Sequence, residues 1–145
     1  MSQASSMNES LARAMLGGVP QADALGFEFV SVSPARGSLR VPWLEDLVGD
    51  PEREVIAGGV VTTLLDHVCG LAIKSASPDG QATATLDLRI DYMRPAAPRA
   101  GVTAEAHCYK LTRSMAFVRA HAFDADPADP IATVQAAFVL QGAPK

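Results

Sequence analysis

Cysteine, aromatic rings and excess positive charge are all scarce in this chain of 145 residues. The two cysteines, Cys69 and Cys108, lie far apart within apolar segments, which suits small buried hydrophobes rather than a disulfide framework. His67, His107 and His121 show no ligand spacing with one another or with the cysteines, so no metal site is expected. Lysine and arginine total 12 against 16 aspartates and glutamates, a net charge of −4. That balance argues against a nucleic-acid binder, which needs a basic surface to displace counterions from phosphates. No apolar run approaches the ~18–20 residues that span a bilayer. The first residues also lack a basic stretch leading into an apolar one. A cytoplasmic protein with neither membrane nor nucleic acid among its partners is the expectation.

What is present is an ordinary globular composition, 48% hydrophobic and 19% charged, and enough chain for one core but not two. Residues 1–25 read as a helical lead-in. Asn8, Glu9 and Ser10 open a helix carrying Leu11, Ala12, Met15 and Leu16; Gly17 and Gly18 stop it, and Pro20 starts a short turn through Leu25. Residues 26–145 read as a single domain. Strands are expected over 26–32 and 38–41, then a loop over 42–54. The central helix, over about 58–75, carries Val61, Leu64, Leu65, Val68 and Ala72 at helical spacing, with an opposite side that is also largely apolar. Residues 85–92 alternate strictly, placing Leu86, Leu88, Ile90 and Tyr92 on one face and Thr85, Asp87, Arg89 and Asp91 on the other. Three more strands follow, over 102–110, 115–124 and 131–141. The acidic turn of Asp124, Asp126 and Asp129 between the last two reads as solvated. One buried helix among short-linked strands is an α+β pattern, and a curved antiparallel sheet wrapped around that helix is its economical solution.

Two features could carry chemistry. Asp66 sits mid-helix between apolar neighbours, where a carboxylate needs donors, a positive partner or a task, unless it lies on a solvated stripe. Gly58 and Gly59 open the same helix, leaving unshielded backbone N–H groups that could receive an anion or allow close packing. Asp66 lies about two turns from the glycines, roughly 10 Å along the axis. A symmetric dimer could bring the Asp66 of one chain to the Gly58 of the other.

Gly49-Asp50-Pro51, Val55-Ile56-Ala57-Gly58-Gly59-Val60, Leu64-Leu65-Asp66 and Gly70, followed by the strand from Thr85 to Tyr92 and then Pro95, together resemble the hotdog-fold acyl-CoA thioesterases. The nearest branch is the PaaI-like, phenylacetic-acid-degradation type. Its pattern is an Asn-rich turn, His-Gly-Gly, an Asp or Glu nine residues beyond the His, and a strand ending in Tyr-x-x-Pro. The element order matches over roughly residues 26–141, and the specific motifs cover 49–95.

The resemblance implies hydrolysis of an acyl-CoA thioester without metal or redox cofactor, in homodimers or homotetramers with sites between subunits. Asp66 would activate water or attack the thioester, the Gly58 N–H would meet the oxyanion, and Thr85 would help position the water. Asp50, Ala57 and Gly59 fall at the thioester end of the site. Val60, Leu65 and Cys69 are candidates for the acyl pocket, although each also suits the core. Arg94, Lys110 and Arg113, near strand ends, are candidates for the CoA phosphates. Two departures remove donors: Ala57 replaces the family His, and Asp50 stands near the family Asn. They motivate the alternative of a non-catalytic acyl-CoA or lipid-binding protein. A hydratase of the same fold ranks last, because His67 points about 100° round the helix from Asp66. The parity of Thr85, opposite to the Leu86, Leu88 and Ile90 face, brings it to the helix only where the strand is irregular or a partner subunit meets that face.

Overall fold

The structure, a computed structural model, describes Ser10, Arg13 and residues 18–77 and 82–141. The helix expected over 8–16 lies outside these residues except at Ser10 and Arg13, both helical. Residues 78–80 of the turn expected after the central helix lie outside them too. The elements in chain order are α1 (Pro20–Ala24), β1 (Glu28–Ser33), β2 (Arg36–Val41), a 3-10 turn (Glu45–Leu47), β3 (Val48–Asp50), β4 (Val55–Ile56), α2 (Gly58–Ala76), β5 (Ala82–Tyr92), β6 (Val102–Leu111), β7 (Met115–Phe123) and β8 (Ala132–Gln141).

Six strands form one antiparallel sheet in the order β1-β2-β6-β7-β8-β5. Helix α2 lies on β2, β6 and β7 and touches β1 and β5 less extensively. Its side chains Val61, Leu64, Leu65, Val68, Leu71, Ala72 and Ile73 are buried against the sheet. The strands beneath alternate buried and half-exposed residues, and many of the inward positions are small: Ala104, Ala106, Ala116, Ala120, Ala122, Ala132 and Ala136. Small inward side chains let a helix carrying large ones approach closely and pack without voids. Gly37 on β2 shows how close: a Cβ there would stand 2.8 Å from the Leu71 side chain. The lead-in joins this core through Ala22 on α1, which is buried.

The segment over 42–54 is more ordered than the loop expected for it. It holds the 3-10 turn, and β3 pairs with β4 in a separate two-stranded ladder. Asp50 makes the turn between them by accepting the Arg53 N–H on Oδ1 at 3.2 Å. Gly49 is required by contact: a Cβ there would lie 2.7 Å from the Ala57 Cα.

Strand β5 is irregular. Its pairing with β8 runs Thr85 opposite Phe138 but Asp87 opposite Ala137, so Leu86 is an extra residue in a β-bulge. The bulge changes the parity: Thr85 shares the inward face with Leu88 and Ile90, and Leu86 turns out to solvent with 62% exposure. This corrects the expectation of Leu86 on the core face. Tyr92, expected beside it, is half exposed and reaches the start of the helix with its ring edge and hydroxyl.

The acidic turn expected to be solvated is an anchor. Arg94, just after β5, donates Nη1 and Nη2 to Asp124 at 2.9 and 2.7 Å, and Nε to Asp129 Oδ1 at 3.3 Å. The Pro95 and Asp129 carbonyls take its other two donors. The Asp124 side chain is 7% exposed and also accepts the Ala97 and Ala125 N–H groups.

Candidate active site

Helix α2 begins at a bend where the backbone arrives extended at Ala57 (φ −60°, ψ 138°). The Ala57 N–H is held by the Leu47 carbonyl at 2.9 Å, and its own carbonyl takes Val60 N–H at 3.0 Å. A methyl side chain cannot cap, and among the described residues the N–H groups of Gly58 and Gly59 have no acceptor. Gly59 faces open space, with no atom within 4 Å of where a Cβ would lie. Two uncapped donors at the positive end of a 19-residue helix form an anion-receptive corner.

Two hydroxyls close the other side of that corner. Tyr92, the last residue of β5, donates to the Gly58 carbonyl at 2.7 Å, and Thr62 Oγ1 lies 3.1 Å from the same oxygen. The two hydroxyls also hydrogen-bond to each other. A cavity of about 360 Å³ opens beside Gly58, walled by Val55, Ile56, Tyr92, Met93, Arg94 and Pro95. A larger groove, about 690 Å³, crosses the opposite face of the sheet among Arg36, Arg89, His107 and Arg119 and touches none of the expected site residues.

Asp66 lies two turns further along α2, half-buried, where the helix meets the bulged part of β5. Thr85 donates its hydroxyl to Asp66 Oδ1 at 2.8 Å. Among the described residues no cation pairs with this carboxylate, and Oδ2 has no donor. The bulge at Leu86 is what aims Thr85 at the helix. Its neighbour His67 packs against the Phe27 ring at 6.0 Å between centroids, and its Nε2 is buried without a partner. Burial pushes the His67 imidazole below its ordinary pKa, against the raising effect of Asp66, so the ring is held toward its neutral form.

The structure therefore brings Asp66 and Thr85 together and places Gly58 and Gly59 in a second corner about 12 Å away along the helix. Other expected residues fall elsewhere. Leu65 and Cys69 are wholly buried core, so the acyl-pocket expectation for them is withdrawn; Val60 is only partly buried against the same core. Burial raises the pKa of the Cys69 thiol and keeps it protonated. Arg94 lines the cavity beside Gly58 but has all five guanidinium donors engaged with Asp124, Asp129 and two carbonyls. A bulge between Cys108 and Lys110 pairs Lys110 with Phe117 on the sheet face away from α2. Arg113 is in the exposed turn before β7, at the end of the sheet opposite to Tyr92. Asp50 is occupied with its own turn, where the Arg53 guanidinium stands 3.8 Å away. Thr62 was missed by the sequence reading; its signal was its place one turn beyond Gly58, beside Thr63, which makes the same bond to the Gly59 carbonyl. Among the described residues no group of three His, Cys, Asp or Glu side chains is arranged to hold a metal, and no helix is long and apolar enough to cross a membrane.

Residues 54–131 match the model of the Thioesterase superfamily. A solved Pseudomonas aeruginosa protein is 38% identical over 90% of this chain and 96% of its own, with a TM-score of 0.82. The Escherichia coli PaaI protein of the phenylacetic acid degradation operon superposes with a TM-score of 0.84 over 97% of this chain and 98% of its own, at 18% identity. A curated Halobacterium salinarum protein, provisionally assigned as an esterase, is 39% identical over 75 residues, and the chain spans about half the length of that relative. With the matched segment running from the turn before α2 through β7, and with the long helix held by one antiparallel sheet as in PaaI, the chain belongs to the Thioesterase superfamily and has the hotdog fold.

Proposed function

We propose that the protein hydrolyses an acyl-CoA thioester to the free acid and CoA. The observation that carries this reading is the half-buried Asp66 carboxylate, bound on one oxygen by Thr85 and open on the other, on a helix that buries eight of its 19 residues in the core. In the proposed reaction a water bound at Asp66 Oδ2 loses its proton to the carboxylate as its oxygen attacks the thioester carbonyl. The Gly58 N–H meets the negative charge developing on the carbonyl oxygen. Collapse of the tetrahedral intermediate breaks the C–S bond, and the CoA thiolate leaves with little need of an acid. Direct attack by Asp66, through an anhydride, uses the same groups.

The 12 Å between Gly58 and Asp66 supports a site shared by two protomers, one chain's Gly58 with the other's Asp66. The surface for such pairing is the outer edge of β5, an eleven-residue strand at the end of the sheet order, with Leu86, Tyr92 and Met93 exposed along it. A long exposed edge strand is normally paired or covered. A homodimer, or a tetramer of two such dimers, in the cytoplasm is the assembly we propose.

Ala57 and the engaged Asp50 favour a second reading, in which the same cleft binds an acyl-CoA or lipid without turnover. Thiol release from aromatic and aliphatic acyl-CoAs by wild type and Asp66→Asn separates the two. Hydrolysis predicts turnover that falls by ~10²–10⁴ in the variant with the fold intact. Saturable binding with no turnover by wild type would establish the binder instead.

A further inference from the structure

We infer that Tyr92 and Thr62 form a positioning clamp for the oxyanion-binding backbone, an inference that rests on the hydrolysis reading above. The carbonyl they grip, that of Gly58, belongs to the same peptide unit as the Gly59 N–H. A hydrogen bond accepted at one end of an amide polarises the unit and strengthens the donor at its other end. The clamp therefore both fixes the plane of the Gly58–Gly59 peptide and makes the Gly59 N–H a better donor, beside the Gly58 N–H already assigned.

The need for a clamp follows from the local sequence. Two consecutive glycines open α2, each with the widest backbone freedom of any residue, and Ala57 offers no capping oxygen. A turn of that composition frays unless something holds it. Tyr92 supplies the hold from outside the helix. Its backbone pairs with Ala132 on β8, and the following Met93 N–H bonds to the Ile131 carbonyl at 2.8 Å, so the phenol extends from an anchored stretch of sheet. Thr62 supplies the hold from inside the helix. With two hydroxyl protons for three mutually bonded oxygens, the Gly58 carbonyl retains a donor whichever hydroxyl gives its proton to the other.

A second observation lies beside the first. The Tyr92 ring is a wall of the 360 Å³ cavity that opens at Gly58, while the space at Gly59 is empty. In a trans peptide the N–H points away from the carbonyl, so the gripped unit has its carbonyl in the clamp and its N–H directed out of the first turn, as an oxyanion donor requires.

The test compares Tyr92→Phe, Thr62→Val, the double variant and Thr62→Ser with wild type, reading kcat and KM on the best acyl-CoA and the Gly59 amide proton shift by NMR. Each single removal leaves one hydroxyl on the carbonyl, so kcat should fall about 3–10-fold and the double variant about 100-fold. KM should stay within about twofold, the Gly59 amide should move upfield, and Thr62→Ser should restore both readouts. Full kcat in the double variant alongside an inactive Asp66→Asn would overturn the clamp alone. An unmoved Gly59 amide would do the same. If wild type turns over no acyl-CoA, the hydrolysis reading falls and the clamp's catalytic role falls with it.

Discussion

Two regions of the molecule are each built around an aspartate, and they treat it in opposite ways. At the corner where β5 meets the β7–β8 turn, Asp124 is 7% exposed and receives a bidentate Arg94 and two backbone N–H groups. Where α2 meets the bulged part of β5, Asp66 is half-buried and receives one neutral hydroxyl. Asp124 has its charge neutralised and its oxygens filled, so it ties together distant segments of chain and can do little else. Asp66 keeps one oxygen without a donor among the described residues. A satisfied carboxylate reads as structure and an unsatisfied one as a candidate for chemistry.

The contrast is easiest to break at the catalytic side. If Asp66 is a group held for chemistry, Asp66→Asn should leave the thermal midpoint close to wild type while removing two to four decades of kcat. Asp124→Asn should do the reverse. It leaves Arg94 with an uncharged partner in a largely covered corner and should cost about 2–3 kcal/mol, or roughly 5–10 °C in Tm, with kcat preserved well below that temperature. Calorimetry and thiol release on the same two preparations check both halves.

Acid should sharpen the comparison further. Hydrogen bonds from Arg94, and less strongly from the Ala97 and Ala125 N–H groups, hold the Asp124 carboxyl well below the usual carboxylate range, outweighing the opposite effect of burial. A carboxyl depressed in the fold stabilises it fully above the unfolded pKa, near ~3.9, and loses that contribution as pH falls through the folded value. The Tm gap between wild type and Asp124→Asn should therefore be widest above about pH 5 and shrink toward pH 2. A gap independent of pH would mean that Asp124 acts by packing rather than by charge. The smallest effect concerns Thr85. Thr85→Val removes one hydrogen bond to a charged group and should lower kcat about tenfold, with Tm changed by less than Asp124→Asn changes it.

Much of this was readable from the residues. The apolar spacing of Val61, Leu64, Leu65, Val68 and Ala72 marked α2, and the strands after residue 100 followed from alternation and short turns. Asp66 stood out because an acid is a poor choice inside a buried helix, and the two glycines because they leave the first backbone N–H groups unshielded. Thr85 came from the family resemblance, while its parity within the strand argued against it. One extra residue, Leu86, resolves that conflict, and a bulge leaves no mark in an alternation that continues unbroken through it. The ion pairs of Arg94 were out of reach of the sequence for a related reason. Its partners Asp124 and Asp129 are 30 and 35 residues away, and only the folded chain brings them to it.

The sequence by itself determined the elements and the unusual residues, because periodicity, propensity and turn chemistry act over a few neighbours. Tertiary structure decided which of those residues meet. It set the inward turn of Thr85, the grip of Tyr92 and Thr62 on the Gly58 carbonyl, and the difference between an aspartate that is spent on an arginine and one that is free. Those outcomes depend on sheet order, register and one bulge, which arise from packing summed over the whole core rather than from any local run of residues.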